Sequence, residues 1–237
     1  MVKYTLKRIL YMFISLFLIM TITFFLMKLL PGSPYNDEKL SEEQKVIINE
    51  KYGLNDPVSV QYANYLKNVA KGDFGISFQY DNREVWSLIK PRLGPSVEMG
   101  TYAMILGTIT GLLLGIVAAI KQNTIIDYGA TFLSVIFISV PSFVLAVLLQ
   151  YVFAVEWQIF PVAGWSGFMT AVLPSLALAA GVTATIARYI RSEMIEVLGS
   201  DYIVLASALG MSSSSVLFAL AVRIGLIPIF TIIVPML

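Results

Sequence analysis

The chain of 237 residues contains no cysteine and no histidine. Without cysteine there is no disulfide, thiol nucleophile or cysteine-based zinc site. Without histidine there is no Ser-His-Asp or Cys-His hydrolase, no HExxH zinc site and no histidine proton relay. Charge is scarce as well. Only 13% of residues are charged, where a soluble domain carries about a quarter. The chain is 57% hydrophobic with a mean hydropathy of +0.79. These figures argue against a soluble globular enzyme and against a disordered chain. A net charge of +1 provides no broad basic field, so nucleic acid is not an expected partner.

The few charges are unevenly placed. Ile9–Met27, Met99–Ile120, Tyr128–Val155 and Trp157–Ala187 contain none. Each is long enough for a membrane-spanning helix, which needs about 20 apolar residues. Tyr202–Val222 and Ile224–Leu237 are also uncharged and are separated only by Arg223. The first run is too long for a signal-peptide core of about 7–15 residues, and no small-x-small cleavage site follows it. It therefore reads as a retained helix. Lys3, Lys7 and Arg8 precede that helix, Lys121 lies between the second and third, and Arg188 and Arg191 follow the fourth. The short loop at 156–167 has no basic residue. Basic and non-basic flanks alternate, as a cytoplasmic N-terminus requires. The bilayer is the expected environment: an all-α, multi-pass protein of the cell (cytoplasmic) membrane with about five transmembrane helices.

Three divisions follow: an N-terminal helix at 1–30, an extracellular helical segment at 31–95, and a membrane core at 96–237 with a cytoplasmic loop at about 188–215. In the extracellular segment, Ser41-Glu42-Glu43-Gln44 starts a helix that Gly53 stops. Asn55-Asp56-Pro57 turns into a second helix carrying Val58, Tyr62, Tyr65, Leu66 and Val69, and Gly72–Gly75 is a turn. Glu84–Ile89 reads as a third short helix. The segment fits either a cap packed on the membrane domain or a docking surface for an extracellular partner.

Gly107, Gly111 and Gly115 recur every fourth residue, the spacing that lets helix backbones approach closely in lipid. Pro141 should kink or break the third helix beside Ser142, as a structural kink or as a gate. Gly164-Trp165-Ser166-Gly167 superficially matches a serine-nucleophile motif, but no histidine is available to activate Ser166. Trp157 and Trp165 fit an interfacial aromatic belt. No buried acidic pair interrupts the apolar runs, which argues against a proton- or ion-coupled carrier. Beyond Ala187 the pattern gives two short helices on the cytoplasmic face. One ends at Gly199; the other is capped by Ser200 or Asp201 and runs to about Gly210. Met211 and the serines after it begin a new element, and Val216–Leu237 is the next membrane candidate.

In order along the chain, Leu30-Pro31-Gly32-Ser33-Pro34, Lys51-Tyr52-Gly53-Leu54-Asn55-Asp56-Pro57 and Lys71-Gly72-Asp73-Phe74-Gly75 are followed by Ser139-Val140-Pro141-Ser142-Phe143 and Phe160-Pro161-Val162-Ala163-Gly164. Arg188-Tyr189-Ile190-Arg191-Ser192-Glu193-Met194, Asp201-Tyr202, Ala206, Gly210 and Leu226-Ile227-Pro228 come next. In this register the chain resembles the first-type permease subunits of ATP-binding-cassette importers in the oligopeptide/dipeptide/nickel family. The resemblance implies a fold of the type I importer permease kind and binding-protein-dependent import of peptides. It implies a second homologous permease, two ATPase subunits that carry ATP-Mg, and an extracellular solute-binding protein. It implies no catalysis and no cofactor on this chain. Asp201, Tyr202, Ala206, Gly210 and Met211 would form the coupling helix, with Ala206 and Gly210 allowing close approach to the ATPase. Arg188 and Arg191 would support its base.

The chain departs from the family where basic residues usually flank the coupling core; here stand Val204, Ser207, Leu209, Ser213, Ser214 and Ala219. Fewer charge-assisted contacts to the ATPase are expected. The family's Leu-Pro-x-Thr is replaced by Leu93-Gly94-Pro95-Ser96. Family members continue past the position of Leu237 with a segment that includes the last membrane helix, so that segment is expected to be lacking here. Two alternatives stay open: a truncated or inactive permease with a structural role, and a permease for nickel or another small solute.

Overall fold

The computed structural model describes residues 2–29, 46, 49–50, 53–77, 80, 83–212, 215–216, 222–225 and 229–236. Among these residues the chain is almost wholly helical. The elements are α1 (Val2–Leu29), α2 (Val58–Ala70), β1 (Ile76–Ser77), β2 (Arg83–Glu84), α3 (Val85–Ile120), α4 (Ile125–Ser139) and α5 (Ser142–Gln150). A π-helical turn at Tyr151–Glu156 follows, then α6 (Phe168–Leu198), α7 (Asp201–Ala208), a single turn at Arg223–Gly225 and α8 (Ile229–Met236). Among the described residues three helices are long and apolar enough to cross a membrane: Lys3–Leu29, α3 and α6. α4 and the stretch Ser142–Glu156 pass the same test as a pair bent by 99°. Of the fifth expected span, Val216–Leu237, residues 217–221, 226–228 and 237 lie outside the described residues.

Two compact units are recognised, residues 1–91 and 92–237. In the first, Pro57 precedes α2 with φ −53°, a conformation preset by its ring. The Gln61 amide donates to the Leu54 and Asp56 carbonyls at 2.9 and 2.7 Å, which ties the Asn55–Pro57 turn to the helix. Gly53 ends the preceding helix as expected, at φ +62°. The N–H of Leu54 reaches the Asn49 carbonyl at 2.8 Å, and that of Gly53 reaches Glu50 at 3.3 Å, the paired bonds of a Schellman ending. The helical face of α2 packs on α1: Tyr65 stacks on Phe24 with centroids 5.4 Å apart, and Tyr62 lies 5.3 Å from both Phe24 and Phe25. The Tyr62 and Thr21 hydroxyls are 2.6 Å apart. The start of the Ser41 helix lies outside the described residues. A two-stranded antiparallel hairpin, Ile76 opposite Glu84 and Ser77 opposite Arg83, was not foreseen.

Glu84–Ile89 does not form a separate short helix. From Val85 onward this stretch is the start of α3, which runs unbroken to Ile120 through Pro91 and Pro95. Each proline removes one N–H and crowds one carbonyl, but membrane helices tolerate this where local adjustment satisfies the freed groups.

In the second unit α6 is the hub. Its buried residues are mostly small: Ala171, Ala177, Ala179, Ala180, Ala184 and Ala187 among them. Small side chains let neighbouring backbones close in, and in lipid such packing replaces the hydrophobic drive of water. The glycine stripe of α3 makes the closest approach. A Cβ on Gly107 would lie 2.9 Å from the Ala179 carbonyl oxygen, on Gly111 2.8 Å from that of Thr183, and on Gly115 2.6 Å from that of Ala187. Thr110 and Thr183 share a hydroxyl hydrogen bond of 2.7 Å across the same seam, and Ser175 donates to the Met99 carbonyl at 3.3 Å. The stripe is a packing seam, as its spacing indicated.

Candidate functional site

The residues singled out by sequence as coupling or supporting residues fall at two places in the second unit; Pro141 and Ser142 lie at a third. The first is the junction of α6 and α7. The expected two short helices beyond Ala187 are not both separate: Arg188 to Leu198 continues α6 without a break, since no glycine or proline interrupts it. Gly199 closes α6 and its N–H donates to Ile195 at 3.1 Å. Ser200 is the residue before α7, and its hydroxyl donates back to Val197 at 2.5 Å rather than capping α7. Asp201 opens α7, where a carboxylate suits the positive end of the helix dipole.

α7 is seated by one face. Ile203 and Ala206 are buried in a cluster with Ala119 of α3, Ile190, Met194 and Val197 of α6, and Val216 and Ile229. Ala206 therefore permits close approach to this chain's own core. The opposite face presents Tyr202, Val204, Leu205, Leu209 and Met211 outward; Leu209 is 77% exposed. Gly210 has φ +88°, and a Cβ there would meet nothing within 4 Å. It ends α7: the Met211 N–H reaches Ala206 at 3.2 Å and the Gly210 N–H reaches Ser207 at 3.1 Å, a second Schellman ending.

The second place lies on the flank of α6 facing α4. Arg188 is exposed and lines an open cleft of about 460 Å³ with Thr131, Ile138, Thr185, Tyr189, Arg191 and Ser192. Arg191 borders that cleft and also reaches Asp127, which is 1% exposed. Its Nε and Nη2 atoms donate to Oδ1 and Oδ2 at 2.5 and 2.7 Å. The Asn123 N–H donates to Oδ2 at 3.0 Å. Asp127 escaped the sequence reading because its partner lies 64 residues away. The available signal was its position, a lone acid at the head of an apolar run.

Pro141 divides α4 from α5. Val140 is extended at φ −84°, ψ 120°, and Ser142 is the first residue of α5. Thus Pro141 breaks the span and does not merely kink it. Ser166 accepts no role as a nucleophile: its N–H donates to the Thr170 hydroxyl in an exposed loop, and the chain holds no histidine to pair with it.

Residues 1–100 match the family model described as "Binding-prot-dependent transport system membrane comp, N-term". Residues 111–237 match "Binding-protein-dependent transport system inner membrane component". The chain belongs to this family. It is 44% identical over 236 residues to a dipeptide transport system permease protein, DppB, of Lactococcus lactis, covering 100% of this chain and 78% of that protein. It is 40% identical over 233 residues to DppB of Bacillus subtilis, covering 98% and 76%. It is 41% identical over 236 residues to an oligopeptide transport system permease protein, OppB, of Salmonella typhimurium, again covering 98% and 76%. As a permease of this family the chain is a multi-pass inner membrane component of a binding-protein-dependent transport system, and it is not itself an enzyme.

Proposed function

We propose that this chain is a permease subunit of an ATP-driven importer of di- or oligopeptides, forming half of the translocation pathway, with α7 as the helix through which ATPase subunits drive it. Peptides are the cargo named for its relatives DppB and OppB. The single observation that supports the α7 assignment is its two-faced packing. Ile203 and Ala206 hold it rigidly to the ends of α3 and α6, while Tyr202, Val204, Leu205, Leu209 and Met211 stay uncovered. A helix seated in this way transmits displacement as a packed body. Its free face is mostly apolar, with Asp201 exposed at its start, so it suits a hydrophobic groove on the partner. Two ATPase subunits, a second permease and an external binding protein complete the assembly. Lys3, Lys7, Arg8, Lys121, Arg188 and Arg191 favour a cytoplasmic N-terminus, with which α7 would lie on the ATPase side. Residues 31–95 would then lie outside as the extracellular segment.

The test is purification of the chain from its own membranes in mild detergent, with intact-mass identification of what accompanies it, followed by uptake of labelled peptide in reconstituted vesicles. A second permease and two ATPases in stoichiometric yield, with uptake that disappears when this chain is omitted, are expected. Uptake that persists without the chain refutes the reading.

A further inference from the structure

Among the described residues Asp127 is the only buried charged side chain. It sits in the first turn of α4, and its two carboxylate oxygens are taken up by three donors from two directions. One is the N–H of Asn123 in the α3–α4 turn, where Asn123 is held at φ +60°. The other two belong to the Arg191 guanidinium on α6. The turn is closed locally, with Thr124 donating through its N–H and its hydroxyl to the Lys121 carbonyl at 3.1 and 2.5 Å.

We infer that the Asp127–Arg191 pair is the positioning element that locks the α7-bearing end of α6 to the α3–α4 turn, so that movement of α7 is delivered to the membrane helices rather than lost at the α6 end. This inference rests on the reading of α7 as the coupling helix. Three features carry it. First, the pair is only half buried, with Asp127 1% and Arg191 31% exposed, and an ion pair around a buried charge is poor evidence for stability, since well-packed apolar residues of similar volume serve as well or better. Directional geometry is what such a pair adds. Second, the contact is bidentate, and a planar guanidinium fork fixes both the rotation and the height of α6 against the turn. Third, the pair lies close to the element it would serve. Arg191 is followed on α6 by Met194 and Val197, which share one buried cluster with Ile203 and Ala206 of α7. The path from turn to pair to α7 is a continuous packed body within one compact unit.

The experiment uses the complete complex, reconstituted in vesicles with its binding protein, with radiolabelled dialanine and trialanine as probes. Uptake and ATP hydrolysis are measured together, per assembled complex. Asp127→Asn keeps the shape and an acceptor oxygen but removes the charge; Arg191→Lys keeps the charge but loses the fork. Each is expected to lower peptide taken up per ATP hydrolysed by about tenfold, within the 5–150-fold range of ordinary coupling between sites. The double variant Asp127→Asn/Arg191→Gln, which restores a neutral hydrogen-bonded pair, should recover part of that loss. Because the chain has no cysteine, spin labels at Gln122→Cys and Glu196→Cys, with any cysteines of the partner subunits replaced, can report the spacing of turn and α6 end. Asp127→Asn should broaden that distance distribution. Should Asp127→Asn fail to assemble, Asp127→Glu carries the same two measurements. Reduced abundance with unchanged uptake per ATP, or an unchanged distance distribution, would overturn the proposal and leave the pair a folding contact. A wild-type complex that takes up neither peptide and does not answer the binding protein would instead overturn the transport reading, independently of the variants.

Discussion

The seam between α3 and α6 can be tested at Gly115. A Cβ built there lies 2.6 Å from the Ala187 carbonyl oxygen and 3.1 Å from the Ala187 Cα, besides meeting the Ile190 side chain. Ordinary contact starts at 3.4 Å, so clearing that oxygen requires a local separation of 0.8 Å, the difference between 3.4 and 2.6. The obstacle is backbone and cannot rotate away. We predict that Gly115→Ala costs about 1–3 kcal/mol through overpacking, plus about 0.6 kcal/mol if the parting breaks the Thr110–Thr183 bond. Alanine's better helix propensity returns at most about 1 kcal/mol. The net loss is about 0.6–2.6 kcal/mol after these terms are combined. Gly181→Ala and Gly129→Ala are the controls, since nothing lies within 4 Å of a Cβ at either site. The assay is thermal unfolding of the purified complex in one detergent, followed by size-exclusion recovery. The controls should unfold at or above the wild-type temperature and Gly115→Ala clearly below it. If Gly115→Ala matches Gly181→Ala, the close approach is not real and the account of the seam fails.

Gly210→Trp is predicted to abolish stimulation of the partner ATPase while leaving membrane insertion intact. Gly210→Ala, which meets only the left-handed backbone penalty of about 1–2 kcal/mol, should retain most of it; equal activity in the Trp variant would remove α7 from the coupling path. Because the free face of α7 is mostly apolar, capture of the ATPase by the permease is predicted to change little between about 0.05 and 0.5 M salt, a range over which exposed ion pairs are progressively screened. A steep fall of affinity with salt would point to charged contacts elsewhere. Tyr62→Phe removes the hydroxyl bond to Thr21 and is predicted to weaken the packing of α2 on α1 by about 0.5–1.5 kcal/mol. Limited proteolysis of α2 in membrane vesicles would detect this as faster cleavage, and unchanged protection would count against the contact.

What could be read from sequence was local and periodic. The four-residue glycine spacing specified which face of α3 packs. Gly53, Gly199 and Pro141 marked element ends because each acts through its own backbone. The misreadings came from the same local rules applied without neighbours. Glu84–Ile89 read as a separate short helix and the extracellular segment as ending at 95, yet α3 continues from Val85 through Pro91 and Pro95. The pause assumed after Ala187 is not there, because Arg188 and Arg191 end the apolar run without ending the helix. At the candidate site, the extent of α7 was legible but its orientation was not. Whether Ala206 faces inward or outward is decided by Ile190, Met194 and Val197, which come from another helix. Asp127 was invisible for the same reason, since only the folded chain brings Arg191 to it. The π-helical turn at Tyr151–Glu156 left no sequence signature.

The break at Pro141 limits what can surround this chain. In a continuous helix the Phe137 carbonyl would accept from residue 141, but proline has no N–H to give. With Val140 extended, the next carbonyls also lose their helical donors. Ser139, Pro141 and Ser142 are exposed, and Phe143 is 71% exposed. Hydrocarbon offers no hydrogen bonds, so irregular backbone persists at membrane depth only against protein or a water-filled passage. Lipid is therefore the wrong neighbour for the elbow between α4 and α5. A bilayer closed around the elbow would leave these carbonyls without donors, so that side of the chain must face protein or a water-filled passage.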